Sequence, residues 1–223
     1  MGRTPRPLGI LFDLGDTLLS EHRYDLAKGL AALALPTGCD PATLTAEIDQ
    51  VYRWSHREFR LASWLADRQP DLCRHDGIEQ VERRVWECAV SLSPIPGVPE
   101  TISYFAGVGL RMGCISNAIF SADLLAAELR RHDIDHVQFV HSSADLGFRK
   151  PDPRAFVPAL DALQLEPHQV WFVGDTWEAD VMGASSLGMF PVWLSNESPP
   201  DSEVECVQAG SWEELQSLVV SAL

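Results

Sequence analysis

Apolar residues in this 223-residue chain fall into two kinds of run. Ile10, Leu11 and Phe12 are consecutive rather than alternating, as in a strand buried on both faces of a parallel sheet, and the run ends at once in Asp13 and a glycine turn. From about 21 to 94 apolar positions recur instead at helical spacing. Leu26, Leu30 and Leu33, with Ala27 and Ala34, form one stripe; Leu44, Ile48, Val51, Tyr52, Ser55, Phe59 and Ala62 form a second; Ile78, Val81, Val85, Ala89 and Leu92 form a third. Asp40 before Pro41 offers an N-cap and a first helical position. No strand pattern intervenes, so residues 21–94 are predicted to be an all-helical insertion that ends at Pro94-Ile95-Pro96-Gly97.

Beyond Val98 helices and strands alternate. A helix over 98–107 precedes the strand Leu110–Ile115, which ends in Ser116-Asn117; a helix over 121–131 precedes a strand at Val137–Val140. The loop Gly147–Pro153 leads into a helix capped by Asp152, in which Pro158 is expected to kink or break an early turn. Val170–Val173 is a strand ending in Gly174-Asp175, a helix follows over about 178–187, and a final strand spans Phe190–Leu194. After a polar, Pro-rich stretch over 195–202, Ser211 and Glu214 form a capping box for the last helix. The alternation predicts an α/β fold: a doubly wound parallel sheet from residues 1–20 and 95–223, with 21–94 as a helical cap domain.

Charge and composition narrow the partners. A net charge of -15 argues against nucleic acid, whose binding requires neutralised phosphates, but leaves room for a small phosphorylated substrate in a local cationic pocket. No apolar run approaches the roughly 18 to 20 residues of a membrane span, and the basic start (Arg3, Arg6) leads into a strand rather than a signal sequence. Five scattered cysteines without a CxxC are expected to be reduced thiols in a cytoplasmic protein, monomeric or homodimeric.

Polar residues stand at or near the carboxyl ends of the apolar strands: Asp13, Ser116, Lys150 in its loop, and Asp175 with Asp180. In open α/β sheets that edge is where ligands bind. Clustered carboxylates favour a hard divalent cation such as Mg²⁺, completed by substrate phosphate and water. A lysine and a serine suit phosphate oxygens, and a carboxylate beside a metal is a competent nucleophile toward phosphorus.

These residues carry a resemblance to the haloacid dehalogenase-like hydrolase superfamily, in the form with a helical cap inserted after the first motif. Phe12-Asp13-Leu14-Gly15-Asp16-Thr17-Leu18 resembles its first motif and Ile115-Ser116-Asn117 its second. Arg149-Lys150-Pro151-Asp152-Pro153 resembles the third and Val173-Gly174-Asp175-Thr176-Trp177-Glu178-Ala179-Asp180 the fourth, all in order, over about 8–20 and 95–194. The resemblance implies a Rossmann-like core and a Mg²⁺-dependent phosphatase of a small phosphorylated metabolite, working through an aspartyl-phosphate on Asp13. It makes Asp13, the Gly15 carbonyl, Asp175 and Asp180 the metal's ligands or support. Ser116 and Asn117 would hold phosphoryl oxygens, and Lys150 would neutralise charge between Asp13 and phosphate.

One position departs from the pattern. Phosphatases of this family usually carry an acid–base Asp two residues after the nucleophile, where this chain has Gly15; Asp16 lies one residue further round the turn. General acid–base help is worth roughly 10² to 10⁴-fold, so slow turnover, or substrates whose leaving group needs no proton, are expected. The alternatives are a 2-haloacid dehalogenase, which tolerates a non-Asp there but needs no metal; a phosphonatase, which would need a cap lysine where only Lys28 is present; and a weakened protein that binds a phospho-ligand without turnover. His22, Trp177 and the arginines Arg23, Arg53 and Arg57 are further candidates for the cleft, whereas Trp54, Trp64 and Trp86 are expected in the cap's core.

Overall fold

A computed structural model describes residues 4–33, 40–54, 59–68, 70, 71, 74, 77–200 and 203–223, with residues 51–54 described by their backbone alone. Ala34, Cys39, Ser55, His56, Arg57, Cys73 and His75 lie outside the described residues, as do the side chains of Val51, Tyr52, Arg53 and Trp54.

The first apolar run forms β1 (Gly9–Phe12), every residue of which is buried. It lies inside a six-stranded sheet, flanked in parallel by β4 (Arg111–Ser116) and β6 (Val170–Gly174). Beyond β4 lies β5 (Val140–Ser142), and beyond β6 lie β7 (Phe190–Leu194) and β8 (Val207–Ala209), all parallel. The chain builds one side of the sheet, then crosses β1 to build the other, so β1 stands at the switch in strand order. Alternation along the strand divides its side chains between two cores. Ile10 and Phe12 pack with Val98, Ile102 and Phe105 of α5 (Val98–Gly107) and with Trp212, Leu215 and Val219 of α10 (Trp212–Ala222). Leu11 faces Phe156 and Ala159 of α8 (Pro153–Leu163) on the other side. Trp212 stacks on Phe12 with centroids 5.6 Å apart, and its indole N–H donates to the Thr17 carbonyl at 2.8 Å.

The segment between β1 and α5 is not all helix. It holds α1 (Leu26–Ala31), α2 (Pro41–Trp54), α3 (Leu61–Arg68) and α4 (Ile78–Ala89), but β2 (Leu19–Tyr24) and β3 (Val90–Pro94) pair as an antiparallel ribbon at its two ends. The third apolar stripe therefore stops at Ala89, because Val90 is already extended (φ -111, ψ 142), and Leu92 continues the spacing by coincidence. Residues 21–24 are exposed on both faces of the ribbon and carry no alternation to read.

Other boundaries move for local reasons. Gln138 and Phe139 hydrogen-bond alongside β4, yet the strand proper begins at Val140 rather than Val137. β8 was missed because three residues cannot display a period of two. Pro158 breaks no turn: α8 runs from Pro153 to Leu163, and the carbonyl left without an amide partner is that of exposed Arg154. The helix expected over 178–187 is a π-helical segment, Trp177–Met182, followed by α9 (Gly183–Ser186). Ser211 caps α10 by accepting from the Glu214 amide, while the Glu214 carboxylate takes the Gly210 amide.

One buried carboxylate ties the inserted segment to the sheet domain. Glu82 of α4 is 2% exposed and accepts from both the amide (2.9 Å) and the hydroxyl (2.5 Å) of Ser121, the N-cap of α6 (Ala122–Arg131). Its charge meets a helix N-terminus, where anions are favoured. Glu82→Ala strips a buried donor pair of its acceptor and is expected to cost about 1–3 kcal/mol, with Glu82→Gln costing less, read as the change in midpoint of urea unfolding.

Candidate active site

Asp13 leaves the end of β1 with its amide donating to the Val173 carbonyl at 2.9 Å, which aims its side chain into the crevice above the sheet. The turn that follows reverses sharply: Asp16 is left-handed (φ 52), and its carboxylate accepts from the Glu21 amide at 3.3 Å. Thr17, fully buried, directs its hydroxyl at Asp175 Oδ1, 3.5 Å away.

Lys150 arrives from the loop between α7 (Ser143–Leu146) and α8. Asn117 fixes that loop: its amide group donates to the Lys150 carbonyl (2.9 Å) and its side-chain oxygen accepts the Lys150 amide N–H (2.8 Å). The buried ammonium then sits between Asp13 Oδ1 at 2.6 Å and Asp180 Oδ1 at 2.7 Å. Asp180 is oriented by the π-helical segment, its other oxygen accepting the Thr176 amide at 3.0 Å. Gly174 is required beside it, because a Cβ there would stand 2.3 Å from Asp180 Oδ2. Asp175 is held through its backbone, whose carbonyl accepts the Trp193 indole N–H at 2.8 Å.

Three carboxylates thus converge, Asp13, Asp175 and Asp180 each offering an oxygen within 4.8 Å of the others. Burial raises Asp13 to a pKa of about 6 against the attraction of Lys150, and burial with the charge of Asp13 raises Asp175 to about 6 as well. Burial by itself would lower Lys150, but Asp13 and Asp180 hold its pKa far above the ordinary lysine range. An all-oxygen donor set that repels itself suits a hard divalent cation.

Every candidate site residue lines one cavity of about 680 Å³: Asp13, Gly15, Ser116, Asn117, Lys150, Asp175 and Asp180. Of the further cleft candidates, His22, Arg23 and Trp177 do not line it. Trp177 is buried edge-on against Trp193, 5.1 Å between centroids. His22 lies on the ribbon, 2.6 Å from Ser93 Oγ, and neither Arg23 nor Lys28 belongs to the cavity wall. Trp64 packs on Phe59 as expected of a core residue, whereas Trp86 is both core and wall. Thr17 and Trp193, which position Asp175, were not singled out in the sequence; the first lay inside a motif, and the second has no local signal at all.

A parallel sheet with an acidic, lysine-bearing crevice at its carboxyl edge defines an α/β protein with its ligand site at the strand-order switch. Residues 8–188 match the family model of the haloacid dehalogenase-like hydrolases, and the chain belongs to that family; it is a hydrolase. It is 25% identical over 209 residues to a glyceraldehyde 3-phosphate phosphatase of Methanopyrus kandleri, covering 87% of this chain and 86% of that protein. Identity is 27% over 213 residues to haloacid dehalogenase-like hydrolase domain-containing protein 3 of Xenopus laevis, covering 86% and 85%. Its fold is shared with a 2-haloacid dehalogenase from Pseudomonas syringae pv. Tomato (TM-score 0.68, 20% identity, 99% and 100% covered). No helix among the described residues is long and apolar enough to cross a membrane.

Removing the ammonium leaves the carboxylates facing one another. Lys150→Met is expected to lower stability by about 3 kcal/mol at pH 8. The loss shrinks toward low pH, because a carboxyl whose folded pKa lies above its unfolded value is relieved once protonated. The penalty returns as pH rises through the variant's Asp13 pKa, which stands above the wild-type value of about 6 because Lys150 no longer lowers it. Chemical denaturation at pH 8 and at pH 5 measures both.

Proposed function

We propose that the protein is a Mg²⁺-dependent phosphohydrolase of small phosphate monoesters that forms an aspartyl-phosphate on Asp13. The observation that carries this reading is the buried Asp13 carboxylate, facing the cavity with Lys150 on one oxygen and two further carboxylates beside it. Asp13, Asp175, Asp180 and the Gly15 carbonyl would hold the ion, which supplies charge neutralisation of the phosphoryl group and of the attacking carboxylate. Residues 21–94, which form part of the cavity wall, act in this reading as a cap that excludes water.

In the first step the Asp13 oxygen not held by Lys150 forms a bond to phosphorus while the ester oxygen departs with its electron pair. Ser116 and the remaining N–H of the Asn117 amide donate to phosphoryl oxygens, and Lys150 balances the charge gathered between Asp13 and the phosphate. In the second step water attacks phosphorus, the bond to Asp13 breaks, and inorganic phosphate leaves with the proton passed to solvent. Gly15 offers no proton to the departing alcohol. The family relatives include enzymes named as phosphatases, and the acidic cluster is foreign to a 2-haloacid, whose carboxylate would meet no cation among the described wall residues except Lys150.

Phosphate release from phenyl phosphate is expected with Mg²⁺, to vanish in EDTA, and to fall at least 10³-fold in Asp13→Asn. Turnover by Asp13→Asn at the wild-type rate overturns the reading. Nothing lies within 4 Å of a Cβ built on Gly15, so a side chain can start there without a clash. Gly15→Asp is expected to raise kcat for glycerol phosphate about 10²-fold and for phenyl phosphate far less, since only the alkoxide needs the proton.

A further inference from the structure

Above the carboxylates the cavity changes character. Its wall is built by Ile48, Trp86, Leu92, Ile119 and Phe120, with Tyr24 at the ribbon's end. Four of these are buried, Ile48 at 1% exposure, Trp86 7%, Ile119 6% and Phe120 1%, with Trp86 and Phe120 meeting edge-on at 4.9 Å. Trp86 is further fixed by its indole N–H, which donates to Glu128 at 3.4 Å and so faces away from any ligand's need for a donor. The charged groups that join this wall are acidic, Asp16, Glu21 and Asp49, and Lys150 is the one cationic side chain among the described lining residues. That lysine is already paired with Asp13 and Asp180.

Resting on the phosphohydrolase reading, we infer that the site selects phosphate monoesters of an uncharged aromatic alcohol and rejects those whose leaving group carries a carboxylate or a second phosphate. The phosphoryl group is taken by the polar floor, and the remainder of the substrate must then occupy the apolar wall. An aromatic ring gains from leaving water against that surface and from edge contacts with Trp86 and Phe120. A second anion meets the carboxylates of Asp16, Glu21 and Asp49 and, among the described lining residues, no cation besides the already paired Lys150, and like charges brought together disfavour binding. The leaving-group chemistry agrees independently: with glycine at position 15 no proton is supplied there, which a phenol tolerates better than an aliphatic alcohol.

The test compares kcat/KM of the Mg²⁺-loaded full chain for phenyl phosphate, 4-carboxyphenyl phosphate and glycerol phosphate. Phenyl phosphate is expected to exceed 4-carboxyphenyl phosphate by about tenfold or more, although the carboxylated phenol is the better leaving group. In Asp49→Lys, an exposed position, the ratio of the two aryl esters is expected to move about tenfold toward the carboxylated one, a ratio that does not depend on how much of the variant is folded. Equal or faster turnover of the carboxylated ester by the wild type overturns the selectivity while leaving the phosphohydrolase standing. Absence of Mg²⁺-dependent release from all three esters overturns the underlying reading instead.

Discussion

The ammonium of Lys150, buried between Asp13 and Asp180, is the interaction on which the site depends. Without a cation the three carboxylates, each with an oxygen within 4.8 Å of the others, would either repel one another or take up protons. The lysine offsets part of that charge and leaves the rest. Burial first, and the neighbouring carboxylates second, keep both Asp13 and Asp175 raised to about 6, so the ionised cluster favours a further positive charge. In the proposed reaction a divalent cation would supply that charge.

Precision is imposed on this cluster from several parts of the chain. Asn117, at the end of β4, grips both polar groups of the Lys150 peptide and thereby sets where the side chain starts. Trp193, on β7, anchors the Asp175 backbone, and the π-helical segment turns Asp180 inward over a glycine that leaves it room. Buried Glu82 locks the inserted segment onto the helix after β4, so the apolar wall above the carboxylates is tied to the same framework. In the proposed reaction this framework would supply position and electrostatics around the nucleophilic Asp13.

Local signals served the sheet and its carboxyl edge well. Runs such as Ile10–Phe12 and Val170–Val173 are buried on both faces, so their hydrophobicity is continuous and their ends are marked by the acidic residues that follow. The ribbon escaped detection because Glu21–Tyr24 is exposed and Val90–Pro94 directly continues a helical stripe. The π-helical turn escaped for a different reason: its geometry answers to where Asp180 must point, and apolar spacing records nothing of that.

Residue types and order alone determined the parallel α/β core and the identity of the charged residues at the strand ends, including the glycine where a proton donor is usual. Each of these is written in stretches of a few neighbouring residues, over which burial and backbone preference act directly. Tertiary structure decided that Asn117 holds the lysine loop, that Trp177 is packed away while Trp86 and Phe120 shape the cavity, and that Asp16, Glu21 and Asp49 join that wall. Those outcomes depend on contacts between residues far apart in the chain, which no local pattern encodes.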